Sequence, residues 1–165
     1  MHYWIFLVLL TMVVMPAYAA DNDPPCMAEV KKATGLNDLQ RWQGNWSKPQ
    51  FDYAVKLQGD QIILETEGDY KDGRLDPIRA ECKFHGTFAT CKWSSNPSYK
   101  DPGKSCIRGG IGALYLVGGP DRPHDQIQGC FVEQASDCQS KGSAGMVPGA
   151  QWDMTMPRTP GSTLP

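Results

Sequence analysis

The chain has 165 residues, 41% of them hydrophobic, and a formal net charge of −2 at pH 7. A chain of this length can bury one hydrophobic core and is expected to form a single domain. The near-neutral charge gives no electrostatic basis for binding nucleic acid or an anionic membrane surface, so neither is a predicted partner.

The amino terminus is typical of a cleavable export signal. Residues 1–20 contain no Asp, Glu, Lys or Arg, and an apolar run from Tyr3 to Met15 ends at Pro16. Ala17-Tyr18-Ala19 then supplies the small-x-small pattern of a cleavage site. An uncleaved anchor is the alternative, because the uncharged stretch just reaches the length of a short span. We predict a signal peptide over 1–20 and a secreted or periplasmic protein without stable membrane insertion after cleavage.

All six cysteines follow this signal, which predicts three disulfides formed in an oxidising compartment. Residues 21–138 are predicted to form a disulfide-linked β domain that begins with a short helix over Cys26 to Thr34. Residues 139–165 are rich in Gly, Pro, Ser, Thr and Met and show no apolar periodicity. Such a segment cannot bury enough surface to offset its ordering entropy, so we predict a disordered tail.

In two hairpins, the residues that face each other can be predicted by counting outward from a tight turn. Gly59-Asp60 reads as a two-residue loop that pairs Leu57 with Ile62 and Val55 with Leu64. Gly86-Thr87 reads as a second such loop, which pairs Phe84 with Ala89 and Cys82 with Cys91.

The second hairpin predicts a disulfide. Cys82 and Cys91 form a non-hydrogen-bonded pair whose Cα atoms are expected about 4.5 Å apart, within the range that a disulfide tolerates. The alternative is a metal site built from Cys82, His85 and Cys91, but His85 lies on the opposite face from both sulfurs. We therefore predict a disulfide and no metal or other cofactor.

A last hairpin is predicted between Ile111–Val117 and Gln126–Glu133. Pairing Val117 with Ile127 collects the apolar residues Ala113, Tyr115, Phe131 and Ile127 on one face. The glycines of Gly109–Gly112 are interpreted as positions where the backbone bends or approaches another strand closely.

Extending this register places Cys106 opposite Cys138 and leaves Cys26 for Cys130, although two other pairings of these four cysteines stay open. With Trp42–Ser47 as a further strand, about seven antiparallel strands follow in meander order. The predicted fold class is mainly β, a single-domain meander that closes into a small barrel or a curved sheet.

Gly44-Asn45-Trp46 follows a predicted helical turn at Asn37–Arg41. This resembles the opening of the calycin barrels, the lipocalins and avidins, in which Gly-x-Trp begins the first strand and the Trp closes the barrel base. The resemblance covers about residues 37–133. It implies a basic residue near the last strand that stacks on the Trp, for which Lys141 and Arg158 are the candidates.

Candidate binding residues lie in two connections. Ser94–Gly110 is long, polar and basic, and connections of this length without structure of their own are often functional. The loop Gly118–Asp125 places His124 beside Asp121 and Asp125, where a histidine with an orienting carboxylate can act as a general base. The predicted ligand- or partner-binding residues are Tyr99, Lys100, Lys104, Arg108 and His124.

Two classes of function follow. The first is an exported non-enzymatic binding protein, which takes a small ligand in a barrel interior or a protein partner on its loops. Exported inhibitor and immunity-type proteins that neutralise cell-wall hydrolases are analogous in size and disulfide content. The second is a small exported hydrolase that uses His124 with nearby carboxylates. Binding is favoured because the sequence offers no nucleophile elbow, phosphate loop or metal set, and no catalytic residue is assigned.

Overall fold

The structure is a computed structural model that describes residues 23–48, 51–67, 78–95, 108–136 and 149–161. One α-helix, α1 (Pro25–Lys32), precedes a 3₁₀ turn (Leu39–Trp42) and an eight-stranded antiparallel sheet. A second 3₁₀ turn covers Arg122–His124. The strands are β1 (Gly44–Lys48), β2 (Phe51–Gln58), β3 (Gln61–Glu67), β4 (Ile78–Phe84), β5 (Ala89–Ser95), β6 (Arg108–Val117), β7 (Gln126–Ser136) and β8 (Gln151–Pro157).

Each strand pairs with the next one along the chain, so the sheet is a simple meander. Its first and last strands then approach each other. Trp46 of β1 bridges to Arg158, just after β8, and the amide of Thr159 donates to the carbonyl of Asn45 at 2.9 Å. The Lys48 ammonium donates to the Asp153 carbonyl of β8 at 2.8 Å. The fold is therefore a nearly closed barrel, and the predicted mainly β class is confirmed.

Strand β8 corrects the predicted disordered tail. Residues 151–157 pair with β7, from Gln126 opposite Pro157 to Val132 opposite Gln151. Alternate side chains of this strand, Met154 and Met156, are buried inside the barrel. The segment has few β-branched residues, so it lacks the local signal of a strand, and its order comes from pairing with the rest of the sheet.

The two tight hairpins are confirmed residue by residue. Leu57 pairs with Ile62 across Gly59-Asp60, and Cys82 pairs with Cys91 across Gly86-Thr87. Cys82 and Cys91 form a disulfide with Cα atoms 3.9 Å apart. Gly59 and Gly86 have φ of +65° and +90°, which L-residues with a side chain rarely adopt. These glycines fix the turns and hence the register.

The predicted β6–β7 register is wrong by one residue. Val117 pairs with Gln126 rather than Ile127, which turns Leu114 and Leu116 inward and leaves Val117 36% exposed. The connection of eight residues between these strands does not pin the register as a two-residue turn does. The larger apolar side chains of Leu114 and Leu116 therefore decide which face is buried.

Two glycines of β6 let large aromatic side chains enter the barrel. A Cβ at Gly112 would lie 1.9 Å from Cδ1 of Phe131, and one at Gly110 would lie 2.8 Å from Nε1 of Trp93. The β6–β7 register also shifts between Gly109 and Gly110. The interpretation of this glycine run as a bend and a close approach is therefore confirmed.

The barrel interior is the main core, and a smaller one lies outside it. Helix α1 packs Met27 and Val30 against Ala113 and Val132 on the outer face of β6 and β7. The disulfide Cys26–Cys130 ties the helix to that face. Side chains buried in the interior include Trp42, Trp46, Tyr53, Ile62, Leu64, Trp93, Leu114, Leu116, Ile127, Phe131, Met154 and Met156.

Helix α1 covers Pro25–Lys32, close to the predicted range of Cys26 to Thr34. Pro24 is the N-cap, and the Asp23 carboxylate pairs with Lys31. No helix in the described residues is long and apolar enough to span a membrane. The two disulfides indicate an oxidising compartment.

Candidate functional site

The meander places its connections in two groups. In an antiparallel meander, the connections after β1, β3, β5 and β7 lie at one end of the barrel, which we call the mouth. The ends of β1, β3, β5 and β7 lie at the mouth, and the segments that follow them, 49–50, 68–77, 96–107 and 137–148, are outside the described residues. The opposite end, the base, carries the tight hairpins and the 3₁₀ turn Leu39–Trp42.

An ion pair between Arg108 and Glu133 lies at the mouth. Arg108 opens β6 directly after the segment 96–107, and Nη2 of Arg108 donates to Oε2 of Glu133 at 2.7 Å. Nε of Arg108 lies 3.2 Å from both carboxylate oxygens. The Glu133 side chain is fully buried and that of Arg108 is 14% exposed. A buried carboxylate is tolerated only with such a partner, so this pair fixes the strand ends to each other.

Aromatic rings surround this pair. The guanidinium carbon of Arg108 lies 5.7 Å from the ring centroid of Trp93 and 5.6 Å from that of Trp152. Both distances are within cation–π range. The rings of Trp93 and Trp152 meet edge to face at 4.9 Å, and Phe131 lies 6.1 Å from each. We call these five residues the mouth cluster.

Arg108 was predicted as a ligand- or partner-binding residue, and the structure places its side chain in the mouth cluster. Its guanidinium is committed to Glu133, and its amide donates to the hydroxyl of the buried Ser95 at 3.1 Å. Arg108 therefore holds the end of the long connection and does not project into solvent. The other predicted residues of this connection, Tyr99, Lys100 and Lys104, lie outside the described residues, as do Cys106 and Cys138.

Sequence reasoning missed Glu133, Trp93 and Trp152 as members of the cluster. A signal for Glu133 was present, because it continues the inward alternation of Ile127, Gly129 and Phe131 along β7. A carboxylate at an inward position requires a buried cation. Trp152 was missed because its strand was taken for a tail.

The histidine of the β6–β7 connection is exposed. His124 and Asp121 contact each other in the 3₁₀ turn, and their side chains are 65% and 59% exposed. Asp125, the second carboxylate of the hydrolase interpretation, is fully buried and serves another role: it accepts from Nε of Arg41 at 3.0 Å and from the Gly119 amide at 3.1 Å. The structure therefore separates Asp125 from the exposed His124–Asp121 pair.

At the base, Arg158 stacks on Trp46. The guanidinium carbon lies 4.1 Å from the Trp46 ring centroid, and Nη1 donates to the Gln43 carbonyl at 2.9 Å. Nη2 donates to the Arg41 carbonyl and lies 3.5 Å from Asp125. The hydrogen bond to Asp125 raises the pKa of Arg41. The Trp46 indole donates to the Trp42 carbonyl at 2.9 Å, so this cluster closes the base.

The three residues of the alternative metal site, Cys82, His85 and Cys91, make other contacts in the structure. Cys82 and Cys91 are joined in a disulfide, and Nε2 of His85 lies 2.8 Å from the Thr90 hydroxyl. Within the described residues, no group of three or more His, Cys, Asp or Glu side chains is arranged to hold a metal ion.

The described part of the barrel interior is filled by side chains. Trp42, Trp46 and Phe131 are fully buried, and Tyr53 is 2% exposed. Burial raises the pKa of the Tyr53 phenol, because an ionised phenolate would be poorly solvated there. These rings belong to one packed core, so the described residues around them leave little space for a barrel-bound small ligand. No protein-family model, no curated protein and no solved structure matches this chain.

Proposed function

We propose that this protein is an exported, non-enzymatic binding protein that holds a protein partner on the connections at its mouth. The observation that carries the proposal is the packed interior: Trp46 near the base, Phe131 near the mouth and Tyr53 are at most 2% exposed and belong to the barrel core. A small-ligand binder requires a concave apolar cavity, whereas a filled barrel is a rigid support for loops.

The calycin resemblance supports this assignment at the level of fold. Gly44-x-Trp46 opens the first strand of an eight-stranded meander, and Arg158 stacks on the Trp at the base. Arg158 follows the last strand, where the resemblance requires a basic residue. We infer that the chain is calycin-like in construction, with aromatic side chains where lipocalins and avidins hold a ligand.

The mouth cluster supplies the rigidity that such a surface needs. Arg108, Glu133 and Trp152 join the ends of β6, β7 and β8, from which the segments 96–107 and 137–148 depart. Binding is stronger when the contact loops are already ordered, because less conformational entropy is lost on association. Arg108 therefore acts as a positioning residue, and Tyr99, Lys100 and Lys104 are the proposed contact residues.

The test is capture of a partner from the protein's own periplasm or secretome, with the disulfide-bonded mature chain as bait. The variant Tyr99→Ala/Lys104→Ala is then compared with His124→Ala, which changes an exposed side chain at the base. Losing an interface anchor typically costs about 2 kcal/mol, or roughly thirtyfold in Kd. We expect this loss for the loop variant only. If His124→Ala alone weakens binding or abolishes a turnover activity, the mouth assignment is wrong and the hydrolase alternative is favoured.

A further inference from the structure

A groove on the outer wall of the barrel lies apart from the mouth. It runs between helix α1 and the outward faces of β7 and β8, and its volume is about 270 Å³. Cavities that enclose a drug-sized ligand have about 300–1,000 Å³, so this groove is suited to one side chain presented from outside.

The charge of the groove is negative. Glu29 of α1 and Asp153 of β8 line it on opposite sides, and no Lys, Arg or His is among its described lining residues. Neither carboxylate has a salt bridge within the part of the chain that the structure describes. Lys48 lies beside the groove and donates to the main-chain carbonyl of Asp153. Burial lowers the pKa of this lysine and the nearby Asp153 carboxylate raises it, so Lys48 compensates part of the charge of Asp153 and leaves Glu29 as the groove carboxylate without a described cation partner.

The floor adds acceptors and an aromatic ring. Tyr115, Gln128 and Thr155 form a cross-strand row on the outer face. The Tyr115 hydroxyl donates to Oε1 of Gln128 at 2.7 Å, and Nε2 of Gln128 donates to Oε1 of Gln126 at 3.2 Å. These bonds fix the Gln128 amide and leave the lone pairs of the Tyr115 hydroxyl as acceptors. A tyrosine ring can also attract a cation through its π face.

The disulfide Cys26–Cys130 holds both walls in place. It ties α1 to β7, with Cα atoms 6.2 Å apart, and Val30 packs into the small outer core beside it. An eight-residue helix has little stability of its own, so the disulfide and this packing keep Glu29 opposite Asp153. The groove is therefore formed before any partner arrives.

From these features we infer that the groove binds a lysine or arginine side chain presented by a protein partner. Two carboxylates, a hydroxyl acceptor and an aromatic ring are the groups that a cationic side chain requires. The volume of the groove suits a single side chain better than a drug-sized ligand, and its charge disfavours an anionic ligand. This site is independent of the mouth, so it adds a second contact to the proposed binding surface.

The probe is the peptide acetyl-Gly-Lys-Gly-amide, titrated into the ¹⁵N-labelled mature protein with its disulfides intact. We expect saturable shifts of backbone amides around Glu29, Gln128 and Thr155, and no such shifts with the norleucine analogue. The variant Glu29→Gln/Asp153→Asn should weaken binding by about two- to fivefold per carboxylate removed, as for exposed ion pairs.

The matched control is Asp60→Asn/Asp121→Asn, which makes the same change in net charge at exposed sites elsewhere. It should leave the lysine peptide affinity unchanged. An equal loss in the control would show general charge attraction and overturn the inference, as would shifts confined to the mouth or an equal response to norleucine. Failure of the mouth variants to weaken partner binding would leave this titration unaffected, so the two proposals are tested separately.

Discussion

At the scale of single residues, the barrel is closed by polar contacts as well as by apolar packing. Arg158, Asp125 and Arg41 connect the end of β8, the β6–β7 connection and the 3₁₀ turn at the base. Arg108 and Glu133 do the same at the mouth. Each cluster contains one fully buried carboxylate, Asp125 at the base and Glu133 at the mouth. Removing Arg108 would leave Glu133 without its described arginine partner, whereas Asp125 keeps Arg41 when Arg158 is removed.

Arg158→Ala is expected to lower the free energy of unfolding by about 3–5 kcal/mol, because it removes charged hydrogen bonds to the Gln43 and Arg41 carbonyls and the cation–π contact with Trp46. The side chain is 3% exposed and also covers Trp46. Arg79→Ala is the control, because its ion pairs with Glu65 and Glu81 are partly open to solvent and should contribute no more than about 1 kcal/mol. Urea unfolding measures both. Equal losses of unfolding free energy in the two variants would mean that the contact of Arg158 with Trp46 does not stabilise the closure between β1 and the end of β8.

Ionisation of the buried Tyr53 phenol should make the free energy of unfolding depend on pH in the alkaline range. Its folded-state pKa is raised above the unfolded value of about 10, so its contribution is complete below pH 10. Above that pH the unfolded state ionises first, and stability falls by up to about 1.4 kcal/mol per pH unit. Urea unfolding between pH 8 and 11 should show a steeper loss for the wild type than for Tyr53→Phe. Parallel curves would contradict the burial of this phenol.

At the scale of elements, turn chemistry determined which parts of the fold could be predicted. Gly59-Asp60 and Gly86-Thr87 admit one pairing each, and both pairings are confirmed. The β6–β7 register failed because its connection is long, so packing of Leu114 and Leu116 decides it. Trp152 and its strand were missed because the order of β8 depends on contacts with β7 and β1.

The candidate site was predictable only in part. The long connection before β6 was identified from its length, but the ion-pair partner of Arg108 was not identified, because it is distant in sequence. Glu133 lies 25 residues further along the chain. Its inward position follows from the alternation along β7, but its contact with Arg108 could not be derived from that pattern. Local sequence patterns therefore identified the segments, whereas the contacts between these segments could be identified only from the closed barrel.

Strand β8 is tested by truncation. A chain ending at Ala150 loses Met154, Met156 and Arg158, and it exposes the edges of β1 and β7. Open edges with apolar faces promote aggregation, so we expect loss of cooperative unfolding and self-association. A chain ending at Gly161 keeps every described contact of β8 and should unfold cooperatively. A folded, monomeric protein ending at Ala150 would restore the interpretation of this segment as a tail.

At the scale of the whole molecule, a third disulfide remains a prediction. Past the register shift, Arg108 pairs with Ser136, and continuing that pairing outward would bring Cys106 opposite Cys138. This bond would join the two long connections at the mouth. Peptide mapping of the non-reduced protein should recover a peptide that contains both cysteines, and no cysteine should be alkylated before reduction. Alkylation of Cys106 or Cys138 before reduction would show a free thiol and contradict the predicted third disulfide.

The two disulfides of the structure should differ in what they contribute to stability. Cys26 and Cys130 are separated by 104 residues, and Cys82 and Cys91 by 9. Because a cross-link removes more unfolded-state entropy when its loop is longer, Cys26→Ala/Cys130→Ala should cost about 4–5 kcal/mol and Cys82→Ala/Cys91→Ala about 2–3 kcal/mol.

Linear extrapolation of urea unfolding gives both free energies, and near-UV circular dichroism checks that each variant keeps its packed core. The competing effect is a cavity, because Cys82 and Cys91 are 1% and 4% exposed inside the barrel, whereas Cys26 is only partly buried on the outer wall. Large-to-small changes in a core add a cost that grows with the space left behind. If Cys82→Ala/Cys91→Ala loses more unfolding free energy than Cys26→Ala/Cys130→Ala, the cost of the cavity inside the barrel exceeds the effect of loop closure. The order predicted from chain entropy would then be wrong.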